Sequence, residues 1–324
     1  MEIRSWLSEA KKQIDALDAE LIALDVFAPR QMDRCWLVSH DVVKITTEMQ
    51  KEADKMVLKR AKGEPLAYIL GEKEFYGRKF EVNESVLIPR PETETLIDLV
   101  KELSLPKQPK FLELGTGSGC IAITLALEYP QAQVLAVDLS KRALDTAFIN
   151  NVLHEGRVGL VQSNLLRDLF LEDENREAEH YDILVANLPY VDPAWEWLDR
   201  QTLDFEPKKA LYAKGNGGLS LYQRMLKEIR HHQKAGHLWL DYLVVEADPS
   251  QHYRLIEMAH RAGFFHLKTE GFGVVFEDGW RYWWDDAKRD FVHKPEEVLQ
   301  WELENGIIHL LPEEVAQKKR LGEW

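Results

Sequence analysis

Apolar residues recur at helical spacing through the N-terminal part of the chain. Positions three or four residues apart lie on one face of a helix, so such spacing predicts a helix that packs against a core. The first series is Leu7, Ala10, Ile14, Leu17, Leu21 and Leu24. Pro29 interrupts this series, and a later one from Met49 to Ala61 predicts a further helix. Residues 1–62 are therefore predicted to form an N-terminal helical bundle.

Strand patterns begin after this region. Glycines and Pro65 separate short aromatic and β-branched runs such as FYGRKFEV, which predicts a β-hairpin linker over residues 63–89. Beyond residue 109, helical patterns alternate with short apolar runs, which are KFLEL, QVLAVD, RVGLVQS, YDILVAN and DYLVVEAD. Such alternation is typical of βαβ units, in which a parallel sheet carries helices on both faces. The closing segment FFHLKTEGFGVVFE predicts a hairpin that adds an antiparallel last strand.

The predicted fold class is therefore α/β, with a mostly parallel sheet over residues 90–276 and a C-terminal appendage over 277–324. The appendage contains five of the ten tryptophans, with seven basic against twelve acidic residues. The run FEDGWRYWWDD predicts a hairpin or strand, and PEEVLQWELENG predicts a helix. An added element packed on the domain is favoured over a surface that recruits a partner.

The composition disfavours several classes of protein, namely extended nucleic-acid binders, disordered chains, and membrane or secreted proteins. There are 41 lysines and arginines against 55 aspartates and glutamates, a formal net charge of −14, which disfavours extended binding to a nucleic-acid backbone. A hydrophobic fraction of 45% disfavours disorder. No run of about 18 apolar residues predicts a membrane span, and no secretory signal is visible. The two cysteines, Cys35 and Cys120, suit reduced thiols in a cytoplasmic protein.

A glycine-rich loop, Glu113-Leu-Gly-Thr-Gly-Ser-Gly119, follows a predicted strand and precedes a helix. Its glycines permit a tight turn and let a ligand approach the backbone. Asp138 ends the next strand, where a carboxylate can accept hydrogen bonds from both hydroxyls of a ribose. The loop alone is also compatible with an ordinary glycine-rich turn. With Asp138, it predicts a site for a cofactor that contains a nucleoside.

The charge of the loop narrows the type of cofactor. The spacing is G-x-G-x-G and no Walker lysine follows, which disfavours nicotinamide dinucleotides and nucleoside triphosphates. Glu113 and the absence of a basic side chain in the loop disfavour a pyrophosphate. Both features favour a positively charged group, such as the sulfonium of S-adenosylmethionine. No H-E-x-x-H or Cys/His spacing is present, so no metal site is predicted.

A second motif, Asn187-Leu188-Pro189-Tyr190, follows the strand run YDILVA. Ligands of open α/β sheets bind beyond the carboxyl ends of the strands, so this tetrapeptide is expected beside the glycine loop. The Asn187 side-chain oxygen and the Leu188 carbonyl can accept the two N–H groups of an amide or amine and aim its lone pair at a methyl donor. Pro189 would stiffen the turn, and the Tyr190 ring could pack on a planar amide or base. A simple β-turn is the alternative for the tetrapeptide alone.

Together these residues carry a family resemblance. ELGTGSG, Asp138 and NLPY resemble class I S-adenosylmethionine-dependent methyltransferases, which have a Rossmann-like fold. The stretch PLAYILGEKEFYGRKFEVNESVLIPRPETE, residues 65–94, resembles the PrmC/HemK family of protein-(glutamine-N5) methyltransferases. The resemblance covers about residues 1–276. It implies S-adenosylmethionine as cofactor and methylation of the glutamine in the Gly-Gly-Gln motif of a peptide-chain release factor, with the helical bundle recognising that substrate.

The resemblance also implies roles for individual residues. Asp138 would bind the ribose, Asn164 and Leu165 would lie beside the adenine, and the segment from Arg90 to Thr93 would support the pocket. A structural ion pair is an equal alternative for Arg90 and Glu92. The residues expected to bind the cofactor are Glu113, Gly115, Thr116, Gly117, Ser118, Gly119, Asp138, Asn164, Leu165 and Asn187. Those expected to hold the substrate glutamine are Asn187, Leu188, Pro189 and Tyr190.

The chain departs from the family pattern at two of these positions. The family usually has N-P-P-Y where this chain has Leu188, and usually has Asp where this chain has Asn164. N-L-P-Y is the form found in rRNA adenine-N6 dimethyltransferases. An adenine-N6 methyltransferase acting on RNA or DNA is therefore the first alternative. The second is a non-catalytic cofactor-binding module that recruits a partner through the C-terminal appendage.

Overall fold

The computed structural model describes residues 1–29, 32–170, 178–195 and 203–279, and the backbone of 282–285 and 290–293. The N-terminal region is helical, as its apolar spacing predicts. Asp15, Asp33 and Thr46 each accept a hydrogen bond from the backbone at a helix start, which satisfies donors left free there. Trp6 and Ile22 are among the side chains that form a separate small core here. The helices are Ile3–Ala10 (α1), Ala16–Phe27 (α2), Arg34–Ser39 (α3) and Thr47–Ala61 (α4).

A short helix, Leu66–Leu70 (α5), and a hairpin of Glu72–Phe75 (β1) with Arg78–Glu81 (β2) follow. The hairpin was predicted, and its turn contains Tyr76 and Gly77, both with positive φ, as a type I′ turn requires. The sequence did not predict α5, because five residues are too few to display a helical period. The four-part division of the chain at residues 62, 89 and 276 stays a prediction.

The central sheet has seven strands in the order β5-β4-β3-β6-β7-β9-β8. Neighbours from β5 to β7 pair in parallel, whereas β9 is antiparallel to both β7 and β8. The predicted mostly parallel sheet with an antiparallel last strand is therefore confirmed. The strands are Lys110–Leu114 (β3), Gln133–Asp138 (β4), Val158–Gln162 (β5), Glu179–Ala186 (β6), Leu238–Glu246 (β7), Phe264–Glu270 (β8) and Gly273–Asp278 (β9).

Helices cover both faces of this sheet. Because side chains alternate along a strand, Leu112 and Leu184 face one buried cluster, whereas Phe111 and Ile183 face the other. The first cluster includes side chains of the helices Ser220–Lys234 and His252–Arg261, and the second includes those of Glu94–Lys101 and Cys120–Glu128. The helices are Glu94–Lys101 (α6), Cys120–Glu128 (α7), Lys141–Leu153 (α8), Lys208–Leu211 (α9), Ser220–Lys234 (α10) and His252–Arg261 (α11). Because β3, β4, β6 and β7 are parallel, the loops that follow them lie at the same edge of the sheet.

The C-terminal appendage is described only in part. Tyr282–Asp285 (β10) lies within the run predicted to form a hairpin or strand, and it pairs antiparallel with Asp290–His293 (β11), which lies beyond that run. The helix predicted over residues 295–306 lies outside the described residues. Within the described part of the chain, no helix has the length and apolar character needed to cross a membrane. Cys35 is exposed, Cys120 is buried, and both are free thiols.

Asn150, on α8, joins the hairpin to the glycine-rich loop. Its Oδ1 accepts a hydrogen bond of 2.7 Å from the Glu81 backbone N–H, and its Nδ2 donates to the Glu81 carbonyl at 2.9 Å. The same Nδ2 donates to the Ser118 carbonyl at 2.9 Å. The Asn150 side chain is fully buried, so water cannot replace these bonds. One amide thus fixes the hairpin against the loop that borders the site.

We expect Asn150→Ala to lower the free energy of unfolding by about 3 kcal/mol, because it leaves buried backbone groups without partners. Denaturant unfolding measures this change. Asp145→Ala is the control, since Asp145 is exposed on the same helix and its loss should cost less than about 0.5 kcal/mol. Equal stability of the two variants would show that the Asn150 amide does not hold these segments together.

Candidate active site

A cavity of about 490 Å³ opens at the carboxyl edge of the sheet. Its inner walls contain residues of the glycine-rich loop after β3, Asp138 at the end of β4, and Asn187, Leu188 and Pro189 after β6. Residues 84–87 and Pro89 of the linker, Arg90 next to it, and residues 207–210 around the start of α9 also line the cavity. The volume is within the range of small-molecule and cofactor sites. The two predicted motifs therefore border one cavity, as expected for loops that follow the carboxyl ends of neighbouring parallel strands.

The three glycines of the loop have positive φ but different surroundings. A Cβ on Gly115 would lie 3.1 Å from Leu188 Cδ2, so the two motif loops are in direct contact. A Cβ on Gly117 would meet nothing within 4 Å, and this residue borders the cavity with its backbone exposed to a ligand. Gly119 does not line the cavity. A Cβ on Gly119 would lie 3.2 Å from the Cβ of Ala147, so Gly119 permits the start of α7 to pack closely on α8.

Glu113 is buried in the cavity wall behind the loop. Its Oε2 accepts hydrogen bonds from the Thr116 hydroxyl at 2.5 Å and from the Ala122 backbone N–H at 3.2 Å. Its Oε1 has no hydrogen-bond partner among the described residues. Burial raises the pKa of Glu113 to about 7, although both bonds act to lower it. The wall therefore holds a carboxylate with one oxygen free for a donor or cation.

Asp138 holds the glycine-rich loop through the backbone of Gly117. Its Oδ2 accepts a hydrogen bond from the Gly117 backbone N–H at 3.0 Å, and its Oδ1 accepts from the Ser140 N–H at 2.7 Å. Burial raises the pKa of Asp138, and backbone N–H groups oppose that shift. Each oxygen keeps acceptor capacity beyond these single bonds. Asp138 lines the cavity, and its predicted contact with ribose hydroxyls stays a prediction.

Asn164 and Leu165 line the cavity beyond Asp138. Leu165 has a φ of 56°, in the left-handed region that a leucine seldom adopts. The Ser163 hydroxyl donates to the Leu165 carbonyl at 2.8 Å, and Asp168 Oδ2 accepts from the Asn164 backbone N–H at 3.0 Å. These bonds hold the strained turn after β5, so this wall is formed by backbone in a defined conformation.

Asn187 lines the cavity, and a hydrogen bond to a neighbouring side chain holds its side-chain amide. Its Nδ2 donates to the Thr93 hydroxyl oxygen at 3.1 Å. The adjacent Leu188 is buried, and its backbone N–H donates to the Tyr222 hydroxyl at 3.0 Å. A proline at position 188 would have no N–H for this bond. The Tyr222 hydroxyl therefore holds the segment at the position where the family usually has a proline ring.

Tyr190 does not line the cavity. Its hydroxyl donates to Glu246 Oε1 at 3.0 Å, and its carbonyl accepts from Gln251 Nε2 at 2.8 Å. Burial and the carboxylate of Glu246 raise the pKa of Tyr190. The predicted packing of its ring on a substrate amide stays a prediction. In this conformation, Tyr190 anchors the end of the N-L-P-Y segment to β7.

Arg90 lines the cavity and forms an ion pair with Glu206 rather than with Glu92. The Glu206 side chain is fully buried and also accepts from the Ile88 backbone N–H at 3.1 Å. Pro91 and Glu92 are exposed and do not line the cavity. This pair ties the linker to the segment before α9, and both segments form the outer wall.

Three residues that build the site were missed by the sequence reasoning. Glu246 is the last residue of β7, and the same strand-end rule that singled out Asp138 could have identified it. Glu206 carries no such signal, because its partner Arg90 lies 116 positions away in the chain. Tyr222 looks like any other apolar position of an amphipathic helix. Its role follows only from the contact of its hydroxyl with Leu188.

Comparison with known proteins agrees with this architecture. Residues 1–71 match the PrmC N-terminal domain family, and residues 93–201 match the Methyltransferase small domain family. The hMettl16 catalytic domain, solved in complex with MAT2A 3′UTR hairpin 1, superposes with a TM-score of 0.50 at 16% identity. The match covers 86% of this chain and 93% of that one. At this identity the likeness shows the fold alone, which is the class I methyltransferase fold.

Closer relatives are found by sequence. A release factor glutamine methyltransferase from Koribacter versatilis is 37% identical over 246 residues, which cover 73% of this chain and 84% of the relative. One from Xylella fastidiosa is 33% identical over 267 residues, covering 81% of this chain and 91% of the relative. The chain belongs to the release factor glutamine methyltransferase family.

Proposed function

We propose that this chain uses S-adenosylmethionine to methylate the side-chain amide nitrogen of the glutamine in the Gly-Gly-Gln motif of a peptide-chain release factor. The observation that carries this proposal is the contact between the two motif loops. Leu188 packs on Gly115, so the glycine-rich loop and the Asn187 amide border the same cavity. The relatives of this chain bear the name of that activity.

The residues present fit this cofactor. Glu113 offers a buried oxygen without a partner among the described residues, which suits a ligand that carries positive charge. The open space at Gly117 suits close approach to the backbone. Asp138 retains acceptor capacity for ribose hydroxyls, and Asn164 and Leu165 form a wall for a base. When bound, S-adenosylmethionine would supply an electrophilic methyl group, and the electron pair of the broken C–S bond would stay on the sulfur. The amide nitrogen would form the new C–N bond and lose one of its two N–H protons to solvent.

The chain contributes orientation to this reaction. An amide nitrogen is a weak nucleophile because its lone pair is delocalised, so it must be held in line with the methyl group. The Asn187 side-chain oxygen and the Leu188 carbonyl are the acceptors for its two N–H groups. Positioning of this type can contribute several kcal/mol, at about the scale of intramolecular effective molarity. Asn187 is therefore the residue whose loss should affect the transfer step most.

The nature of the acceptor is tested by methylation assays with labelled S-adenosylmethionine and mass spectrometry. We expect one methyl group on the glutamine of the Gly-Gly-Gln peptide when release factor is incubated with this chain. Ribosomal RNA is the competing substrate, because Leu188 gives the N-L-P-Y form of the adenine-specific enzymes. Methylated adenine with unmodified release factor would replace the proposal by an adenine-N6 activity. Cofactor binding without product on either acceptor would favour a non-catalytic module.

Asn187 and Asp138 should have separable effects. We expect Asn187→Ala to lower kcat by about 100-fold or more while the Kd for S-adenosylmethionine stays within about threefold of wild type. Asp138→Ala should raise that Kd by about tenfold or more, because ribose acceptors and the anchor of Gly117 are lost. Calorimetry and initial rates measure the two quantities. An equal loss of cofactor affinity in both variants would contradict these assignments.

Glu113 should make cofactor binding depend on pH. Its pKa is raised to about 7 without cofactor, and a cationic ligand favours the ionised carboxylate, so binding lowers this pKa. The affinity should therefore be highest above pH 7 and fall by up to about tenfold between pH 8 and pH 6. Glu113→Gln keeps an acceptor for Thr116 and should abolish this dependence. Equal pH profiles of the two proteins, measured by calorimetry, would remove Glu113 from cofactor binding.

A further inference from the structure

Tyr222 connects the N-L-P-Y segment to the end of β7 from inside the core. It lies on α10, and its side chain is fully buried. Its hydroxyl oxygen accepts a hydrogen bond of 3.0 Å from the Leu188 backbone N–H. The same hydroxyl has three carbonyl oxygens within reach. The Glu246 carbonyl is the nearest, whereas those of Leu188 and Ala186 lie at 3.4 and 3.5 Å. One phenol group is therefore hydrogen-bonded to two separate segments.

The direction of these bonds follows from the single proton of a phenol. The oxygen accepts the Leu188 N–H, and the proton is donated to the nearest carbonyl, that of Glu246. Burial raises the pKa of Tyr222 above its usual range, so the hydroxyl stays protonated at neutral pH. The Leu188 carbonyl, at 3.4 Å from the hydroxyl, therefore keeps its lone pairs for another donor.

Leu188 is held through its backbone N–H and its side chain. The side chain is 3% exposed, and a Cβ on Gly115 would lie 3.1 Å from Leu188 Cδ2. No backbone N–H among the described residues donates to the Leu188 carbonyl. Leu188 also lines the cavity, where a bound ligand can provide a donor for this carbonyl.

The bond to Tyr222 replaces a restraint that the usual family sequence has in covalent form. A proline at position 188 would fix φ there near about −65°, whereas a leucine leaves φ free to rotate. The N–H that the leucine adds is the group that the Tyr222 hydroxyl accepts, so this bond restricts the peptide between Asn187 and Leu188. The ψ of Leu188 is restricted in either case by the following Pro189. Together these restraints fix the direction of the Leu188 carbonyl.

We propose that Tyr222 is a positioning residue for methyl transfer, which holds the Leu188 peptide so that the Leu188 carbonyl accepts an N–H group of the methyl acceptor. This inference rests on the function proposed above, and it assigns to a buried phenol the restraint that a proline ring gives in N-P-P-Y. Tyr222 does not line the cavity, so it acts without contacting the cofactor or the acceptor. Phenylalanine would not suffice here, because it has no group that accepts an N–H.

Tyr222→Phe removes one oxygen and keeps the ring in the core. The buried Leu188 N–H then has no acceptor, so the segment should move away from its position. With the acceptor that wild type methylates, we expect kcat to fall by about 10- to 100-fold. The Kd for S-adenosylmethionine should stay within about threefold of wild type. Initial rates and calorimetry measure the two quantities, at a temperature where circular dichroism shows the variant to be folded.

Tyr181→Phe is the matched control. Tyr181 is buried in the same cluster as Tyr222, and its hydroxyl donates to Glu179 Oε2 at 2.6 Å. It lies near the start of β6, at the opposite edge of the sheet from the cavity, and does not line it. The control loses a tyrosine hydroxyl far from the N-L-P-Y segment and should keep wild-type kcat. A similar loss of kcat in both variants would assign the effect to core packing and contradict a positioning role.

A second substitution tests the Leu188 N–H itself. Leu188→Pro removes this donor, so the Tyr222 hydroxyl can no longer hold the residue through its nitrogen. In the proline background, Tyr222→Phe should therefore change kcat by less than about threefold, unlike its effect beside leucine. An equal effect in both backgrounds would show that Tyr222 acts through the Glu246 carbonyl alone, and the inference would fail. A folded Leu188→Pro protein without activity would also contradict it, because the ring should supply the restraint.

The hydrogen bond can also be measured without an activity assay. In cofactor-free, nitrogen-15-labelled protein, the Leu188 backbone N–H should exchange slowly with solvent in wild type and in Tyr181→Phe. Exchange should be at least about tenfold faster in Tyr222→Phe, because the acceptor is gone. Rapid exchange of this N–H in wild type would overturn the inference even if Tyr222→Phe failed to fold.

The outcomes separate the role of Tyr222 from the proposed function. The assays use release factor and, in parallel, ribosomal RNA, with wild-type protein as the reference. If wild type methylates either acceptor and Tyr222→Phe keeps its kcat, the positioning role is wrong while a methyltransferase function stands. A wild-type chain that is active on neither acceptor overturns both.

Discussion

Carboxylates withdrawn from water must accept hydrogen bonds, and at the carboxyl edge of this sheet the donors come from other loops. Glu113 accepts from Thr116 and from the start of α7, and Asp138 accepts from the glycine-rich loop. Glu246 accepts from Tyr190 of the N-L-P-Y segment. Each carboxylate at a strand end therefore fixes a loop or helix start beside it. These hydrogen bonds connect the segments that border the cavity.

In the outer wall of the cavity, the buried carboxylate of Glu206 also accepts hydrogen bonds, and its donors lie far away in the sequence. Glu206 pairs with Arg90 and accepts from the Ile88 backbone N–H, so the segment before α9 is held against the linker. The buried Asn150 amide likewise holds the hairpin through two hydrogen bonds with the Glu81 backbone. The linker is therefore part of the site wall. Its position links the helical region at the N-terminus to the cavity in which the chemistry is proposed.

The substitution at position 188 illustrates how a motif can change and keep its geometry. A leucine lacks the rigid ring of a proline, yet it gains a backbone N–H that the buried Tyr222 hydroxyl accepts. That hydroxyl also donates to the Glu246 carbonyl, so the segment stays attached to the end of β7. The leucine side chain in turn packs on Gly115. The backbone of Leu188 is thus held by Tyr222, and its side chain is held against the glycine-rich loop.

The sequence by itself determined most of the helices and strands and the edge of the sheet at which the site lies. Helical and strand periods are local properties, and the order of parallel strands places Asp138 and Asn187 at the same edge. Only the tertiary structure decided which side chains complete the site. Thr93 meets Asn187 across 94 positions and Arg90 meets Glu206 across 116, and no local pattern encodes such pairs. Their contacts depend on how residues 90–93 pack against the finished sheet, which is a property of the folded chain.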